Sequence, residues 1–253
     1  MKRTIVAFDL YGTLLSTDSI VREIENVCDK DKAKEIATQA RRYQLEYTWR
    51  ISSMASGTDM RAIIEGLYQP FDELTRWSFL QASAEAGVDE VSAHLPQIME
   101  AYNKLDTFPE VEKAFSLLSQ HSSIEPYIFS NGTRSMITSS VRSAAAFSRA
   151  SAMLPDARIV SVDPLGVYKP DPRTYGHLVE TAQMEEQRGS VWLVSSNPFD
   201  IVGARRAGLE AVWVNRSGKE WSDGLGGATG LHPSRIVQGV DEAVKGISDS
   251  VSE

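Results

Sequence analysis

Two aspartates and a lysine follow apolar runs that are typical of buried strands. Asp9 comes directly after residues 4–8, and Lys169 and Asp200 lie beyond two later runs of the same kind. Carboxylates serve as nucleophiles or as bases, and a cation within ~4–6 Å favours their ionised form by lowering the pKa. This set of residue types therefore favours nucleophilic or acid–base chemistry at a carboxylate-rich site.

Further polar side chains recur at the predicted ends of four consecutive strands. They are Asp9, Tyr11 and Thr13; then Ser130 and Asn131; then Lys169, with Tyr175 six residues on; and finally Ser195, Asn197 and Asp200. Ligands of open α/β sheets bind beyond the carboxyl ends of the strands. One such residue means little, because polar residues at strand ends usually cap helices. Four consecutive ends with complementary groups predict a shared site.

The strands that must position these groups alternate with helical patterns. Strands are predicted at residues 4–8, 126–129, 158–162, 191–194 and 211–214, and helices at 111–120, 133–149, 172–184 and 200–207. Apolar β-branched runs indicate parallel strands that are buried on both faces. Alternation with helices predicts an α/β fold, with a Rossmann-like parallel sheet and helices on both of its faces.

One region breaks this alternation. Residues 16–99 contain no convincing strand and read as helices at 31–54, 60–66, 72–86 and 91–104. We predict a core domain made of residues 1–15 and 100–253, with residues 16–99 as an inserted helical cap subdomain. Residues 216–234 carry five glycines and predict a surface loop, with partial disorder as the alternative.

Composition excludes several classes of protein. The 253 residues carry a formal net charge of −8, which disfavours binding to nucleic acids or to anionic membranes. The single cysteine, Cys28, excludes an intramolecular disulfide and a multi-cysteine metal cluster. No apolar run approaches the ~20 residues of a membrane span. Asp9 interrupts the apolar N-terminus, which we interpret as a strand and not as a signal peptide, so we expect a cytoplasmic protein.

Four motifs in order resemble the haloacid dehalogenase superfamily. They are Phe8-Asp9-Leu10-Tyr11-Gly12-Thr13-Leu14, Ser130-Asn131-Gly132, Lys169-Pro170 and Ser195-Ser196-Asn197 with Asp200. Each is weak alone, but the four together span residues 8–200 in the family's order. The helical insert stands where this family places its cap.

Further residues resemble the (S)-2-haloacid dehalogenase branch, which is also called type II. Phosphatases of the superfamily carry a second aspartate as general acid where this chain has Tyr11, and a phenol with a pKa of ~10 is a poor acid at neutral pH. Arg41 and the residues after it resemble the branch's cap arginine segment, and Tyr175 matches a tyrosine six residues past the lysine. Phe199 departs from a tryptophan that is frequent in the branch, which puts the size and affinity of the substrate in question.

The resemblance implies a two-step hydrolysis of short (S)-2-haloalkanoic acids to (R)-2-hydroxy acids. Asp9 attacks the carbon that bears the halogen and forms an ester, while Lys169 keeps Asp9 ionised. Thr13 and Ser195 orient the carboxylates. Asp200 is then the base for the water that hydrolyses the ester, and Asn197 holds that water.

The remaining implied roles concern the substrate. Ser130 and backbone N–H groups around Tyr11 and Asn131 suit its carboxylate, and Arg41 with Asn131 would stabilise the departing halide. The residues expected to exclude water from the site are Tyr11, Leu45, Phe71 and Phe199, and Tyr175 is counted with the substrate contacts. The scheme needs no metal and no cofactor. The resemblance also implies a homodimer formed through the cap.

Three other interpretations stay open. The first is another hydrolase on the same scaffold that acts on a small acid, for example by ring opening. The second is a Mg²⁺-dependent phosphatase, against which Tyr11 argues. The third is a non-catalytic binding protein, which would be expected to have lost residues such as Asp9, Lys169, Asn197 and Asp200.

Overall fold

A sheet of six parallel strands forms the centre of the protein. The computed structural model describes residues 3–54 and 67–252. The strands are β1 (Thr4–Phe8), β2 (Ile124–Ser130), β3 (Ile159–Ser161), β4 (Val191–Ser195), β5 (Glu210–Val214) and β6 (Arg235–Val237), in the order β3-β2-β1-β4-β5-β6. The predicted α/β fold is confirmed.

Ten α-helices lie within the described residues. They are α1 (Val21–Ile24), α2 (Lys30–Met54), α3 (Phe71–Ala86), α4 (Glu90–Tyr102), α5 (Val111–Leu118), α6 (Arg134–Ser143), α7 (Pro172–Thr181), α8 (Pro198–Arg206), α9 (Gly224–Thr229) and α10 (Val240–Ser252). The helix predicted at residues 60–66 lies outside the described residues.

The sheet changes direction next to its central strand. β1 pairs with β2 on one side and with β4 on the other, and every residue of β1 is buried. β2 and β3 lie on one side of β1, and β4, β5 and β6 lie on the other. Right-handed crossovers therefore place α5 and α6 on one face and α7 and α8 on the other. Ligand sites of open α/β sheets lie at such a switch point, beyond the carboxyl ends of the strands.

The helices α1 to α4 form a separate layer at the carboxyl edge of the sheet. The chain enters and leaves this layer through two adjacent segments. Leu15 and Thr107 form an antiparallel bridge, and the Ser16 N–H donates to the Asp106 carbonyl at 2.8 Å. The boundary predicted at residue 99 falls inside α4, which continues to Tyr102 because Met99 and Tyr102 extend its buried face.

Three sequence expectations differ from the structure. β6 was not predicted, because its residues are exposed or half-buried and form no apolar run. The predicted helix at 133–149 ends at Ser143, since Ala144 is extended, and a 3-10 helix follows at Ala145–Ala150. The glycine-rich segment contains α9, whose N-terminus is capped by the Asp223 side chain.

Among the described helices, none has the length and apolar character that a bilayer crossing requires.

Candidate active site

Asp9 lies where β1 ends, and its two carboxylate oxygens have different partners. Oδ2 accepts hydrogen bonds from the Thr13 hydroxyl at 2.9 Å, from Nδ2 of Asn197 at 2.7 Å and from the Ser195 hydroxyl at 3.4 Å. Oδ1 accepts from Nζ of Lys169 at 3.0 Å. Oδ2 is therefore held in place, while Oδ1 keeps lone pairs for a reacting atom.

Lys169 joins the two buried aspartates. Its side chain is 1% exposed, and Nζ donates to Oδ1 of Asp9 at 3.0 Å, to Oδ2 of Asp200 at 2.7 Å and to the Phe129 carbonyl at 3.0 Å. Burial lowers the pKa of the ammonium, but the carboxylates of Asp200 and Asp9 outweigh burial and raise it overall. Lys169 thus stays charged at neutral pH and compensates one of the two buried negative charges.

Asp200 is fully buried in the first turn of α8. Its Oδ1 accepts from the Tyr175 hydroxyl at 2.7 Å. Burial raises the pKa of this carboxyl; Lys169 lowers it, and the nearby charge of Asp9 raises it, so that the net shift is upward. A carboxylate with raised proton affinity is a better base for water than an ordinary surface aspartate.

The loops after β1 and β4 lock together beside Asp9. The Ser196 N–H donates to the Thr13 hydroxyl oxygen at 2.9 Å, and the Ser196 hydroxyl donates to the Gly12 carbonyl at 2.7 Å. Gly12 has a φ of +85°, in the left-handed region that favours glycine. The indole N–H of Trp213 donates to the Ser196 carbonyl at 3.1 Å. These contacts fix Thr13 against Asp9.

A small cavity opens between helices α2 and α3 and the carboxyl edge of the sheet, with Asp9 on its wall. Its volume of about 10 Å³ is roughly the space of one water molecule and lies far below the ~300–1,000 Å³ of drug-sized sites. The residues that line it are Asp9, Tyr11, Arg41, Leu45, Phe71, Ser130, Asn131, Lys169, Asn197 and Phe199. Little free space remains beside Asp9, so a ligand bound there has to be compact.

Three lining residues present hydrogen-bond donors. The side-chain oxygen of Asn131 accepts from the Lys169 N–H at 2.9 Å, which leaves its NH₂ group as a donor. Ser130 Oγ accepts from the Gly132 N–H at 3.1 Å and keeps its own proton to donate. Arg41 reaches the cavity from α2, and its Nη2 donates to the Tyr11 carbonyl at 3.1 Å. The cavity therefore suits an anion.

Tyr11 is a wall of this cavity and not an acid. Its ring stacks between Phe71, at a centroid distance of 5.6 Å, and Tyr102, at 5.4 Å. Burial raises the pKa of its hydroxyl far above that of a free phenol. The hydroxyl has no hydrogen-bond partner within the described residues. Tyr11 cannot replace the second aspartate of a phosphatase as proton donor at neutral pH.

The fourteen predicted site residues converge on one region, in two layers. Ten of them line the cavity, and Thr13, Ser195 and Asp200 lie behind it against Asp9 or Lys169. Tyr175 takes a different place from the one predicted. It is fully buried, bonds to Asp200 and is not among the lining residues, because its hydroxyl points under α8.

Sequence reasoning missed three residues that support this region. Gln44 and Tyr102 lie beneath Arg41, and Arg216 donates to the Thr13 carbonyl at 2.8 Å while it pairs with Glu110 at 2.6 Å. Gln44 lies within the segment that resembles the cap arginine motif, which was the available signal. Arg216 stands directly after β5, at the same edge of the sheet as the motifs.

The chemistry of the donor set does not suit a divalent cation. Within the described part of the chain, no group of three His, Cys, Asp or Glu side chains could hold a metal ion. Asp9 and Asp200 both contact the ammonium of Lys169, whose positive charge opposes a second cation between them.

A family model described as haloacid dehalogenase-like hydrolase matches residues 4–208. The chain belongs to the haloacid dehalogenase-like hydrolases. It is 32% identical over 216 residues to haloacetate dehalogenase H-2 of Moraxella sp. (strain B), covering 84% of this chain and 86% of that one. It is also 32% identical over 223 residues to the (S)-2-haloacid dehalogenase of Pseudomonas sp. (strain YL), covering 86% and 85%.

A crystal structure of a dehalogenase shares the same architecture. Its TM-score is 0.79 at 26% identity, over 96% of this chain and 95% of that one. The predicted membership of the haloacid dehalogenase family, and of its (S)-2-haloacid dehalogenase branch, is confirmed by these relatives.

Proposed function

We propose that this protein is a hydrolase that cleaves the carbon–halogen bond of short (S)-2-haloalkanoic acids and produces (R)-2-hydroxy acids. The observation that carries the proposal is the unequal environment of Asp9. One oxygen is held by Thr13 and Asn197, the other accepts from Lys169, and Asp9 lines a small cavity that presents several hydrogen-bond donors. The relatives named as dehalogenases support the same reaction.

In the first step, Oδ1 of Asp9 attacks the carbon that bears the halogen. A carbon–oxygen bond forms while the carbon–halogen bond breaks, and the halide leaves with the bonding electron pair. Attack from the side opposite the halogen inverts the carbon, which converts an (S) acid to an (R) product. Arg41 and the NH₂ group of Asn131 are the donors for the departing halide, and Ser130 is a donor for the substrate carboxylate.

In the second step, water attacks the carbonyl carbon of the new ester and its proton passes to Asp200. The ester then breaks between that carbon and the product oxygen, which takes up the second proton of the water as the hydroxy acid leaves, and Asp9 regains a carboxylate. Asp200 releases the first proton to solvent. Asn197 lies next to Asp9 and would hold the water. Lys169 stabilises the negative charges of both steps from its place between the two aspartates. No metal or cofactor enters the scheme.

The experiment is halide release from racemic 2-chloropropionate and from monochloroacetate, with EDTA present. We expect chloride from a single enantiomer of 2-chloropropionate, and no release by Asp9→Asn of unchanged circular dichroism. Lack of chloride release together with Mg²⁺-dependent cleavage of p-nitrophenyl phosphate would replace the proposal by a phosphatase. Lack of both activities would favour another small-acid hydrolase or a binding protein.

Two further features complete the proposal. We infer that residues 16–99, with the end of α4, act as a cap that closes the cavity over the core. We also infer a cytoplasmic location.

We infer in addition that the protein forms a homodimer through the cap, where Trp77 on α3 is 40% exposed. Sedimentation equilibrium of the wild type and of Trp77→Glu tests the dimer, and a wild-type monomer at micromolar concentration would contradict it.

A further inference from the structure

A buried glutamine lies directly beneath Arg41. Gln44 on α2 is 1% exposed. Its Oε1 accepts from Nη1 of Arg41 at 2.6 Å and from the Tyr102 hydroxyl at 3.1 Å. Its Nε2 donates to the Thr75 hydroxyl oxygen at 2.6 Å. One amide thus connects the cap arginine to both α3 and α4.

The neighbouring groups determine which way this amide points. The Thr75 hydroxyl donates its proton to the Phe71 carbonyl at 2.6 Å, so its oxygen needs a donor. A guanidinium carries donors and no acceptor, so Arg41 needs an oxygen. The Gln44 amide therefore directs its NH₂ group at the Thr75 hydroxyl oxygen and its own oxygen at Arg41, because only this orientation gives each neighbour the partner it needs.

Arg41 is therefore held at two points. Nη1 is bound to Gln44 within the cap, and Nη2 is bound to the Tyr11 carbonyl of the core. A free arginine side chain has several rotatable bonds, and ordering them during a reaction costs free energy. Gln44 and Tyr11 thus fix the orientation of a guanidinium that lines the cavity.

We propose that Gln44 is a positioning residue that aims Arg41 at the departing halide and so sets the rate of carbon–halogen cleavage. This inference rests on the proposed dehalogenase reaction. In that step the bonding pair moves onto the halide as Oδ1 of Asp9 bonds to carbon. Chloride is smaller and a poorer leaving group than bromide, so it gains more from well-aimed donors.

The experiment uses Gln44→Met, which keeps the side-chain length and removes the hydrogen bonds. Halide release is measured in a single turnover, with enzyme in excess over chloroacetate or bromoacetate, so that ester formation is observed directly. Loss of a hydrogen bond to a charged group predicts that chloride release slows by about 10- to 100-fold. We expect bromide release to slow less, which lowers the chloride-to-bromide rate ratio.

Two further variants sharpen the test. Gln97→Met changes an exposed glutamine on α4 and should leave both rates unchanged. Thr75→Val removes the acceptor of the Gln44 amide and should lower the same rate ratio by a smaller factor. If Gln44→Met fails to fold, Thr75→Val carries the test.

The outcomes separate this inference from the proposed function. A fall in the chloride-to-bromide ratio supports the positioning role of Gln44. Equal slowing of both halides, or no slowing, overturns it and leaves the dehalogenase proposal intact. Absence of halide release by the wild type would instead overturn the proposed function, and this inference with it.

Discussion

Lys169 is bonded to both aspartates of the site, and its removal would leave two carboxylates buried without a cation. Removing one partner of a buried ion pair costs about 3–5 kcal/mol. We therefore expect Lys169→Met to lose halide release and to unfold at lower urea concentration. The double variant Lys169→Met/Asp200→Asn has one buried charge fewer, so it should regain stability without regaining activity. Equal stability of the two variants would contradict this account.

The same variant has a defined pH dependence. In Lys169→Met, burial and the charge of Asp9 act on Asp200 without a compensating cation, and its pKa rises above the already raised value. The folded state then binds a proton more tightly than the unfolded state. Its stability must fall as the pH rises from below the ordinary aspartate pKa of ~3.9 through the raised one. Urea denaturation across this range checks the sign.

Tyr175 adjusts the same carboxyl in the native protein. In the proposed mechanism, Asp200 must be ionised to accept a proton from water, so we expect turnover to fall as the pH drops through its pKa. The hydrogen bond from Tyr175 favours the ionised form and lowers this pKa. Tyr175→Phe should therefore move the acid limb of the kcat profile to higher pH. Tyr47→Phe, on a half-buried cap tyrosine, is the control, and a shift to lower pH would refute the assignment.

At the scale of elements, Tyr175 of α7 packs directly against Gly203 of α8. A Cβ built on Gly203 would lie 2.3 Å from the Tyr175 hydroxyl. Gly203→Ala should push Tyr175 away from Asp200, with a cost of about 1–3 kcal/mol and a loss of activity. Gly176→Ala on α7 meets nothing within 4 Å and should leave stability and activity close to wild type. Thermal unfolding and halide release measure both.

Elements with a regular apolar pattern were predictable from sequence, and the others were not. β1 and β4 are continuous apolar runs, and both were placed within one residue of their ends. β6 has a mixed, partly exposed pattern, so it forms through pairing with β5 and not through its own burial.

The site residues also divide into some that local sequence predicts and some that it does not. Asp9 and Lys169 follow recognisable motifs, but Tyr175 and Gln44 owe their roles to partners that lie 25 and 31 residues away in the chain. Arg216 contacts Thr13 across a separation of 203 residues. Local patterns carry no information about such pairs, which depend on how the elements pack.

At the scale of the whole molecule, the cavity is lined both by helices α2 and α3 and by the carboxyl edge of the sheet. Phe71 of α3 is buried and stacks on Tyr11. Close packing therefore opposes any displacement of these two rings to make room for a larger substrate. We expect kcat/KM to fall from chloroacetate to 2-chlorobutyrate, and we expect Phe71→Ala to reduce that difference. Phe79→Ala removes another buried ring of α3 that does not line the cavity, so it should lower stability and keep the wild-type substrate ratio.

The position of β1 has a consequence for synthesis of the protein. β1 is complete at Phe8, but its partners β2 and β4 begin at Ile124 and Val191, because the cap is inserted between them. At roughly 5–20 residues per second, the ribosome finishes β4 about 10–40 s after β1. Until β4 is made, at least one edge of this largely apolar strand has no partner, which makes it a target for chaperones and for aggregation. The cap helices, which need only local contacts, are available to fold first.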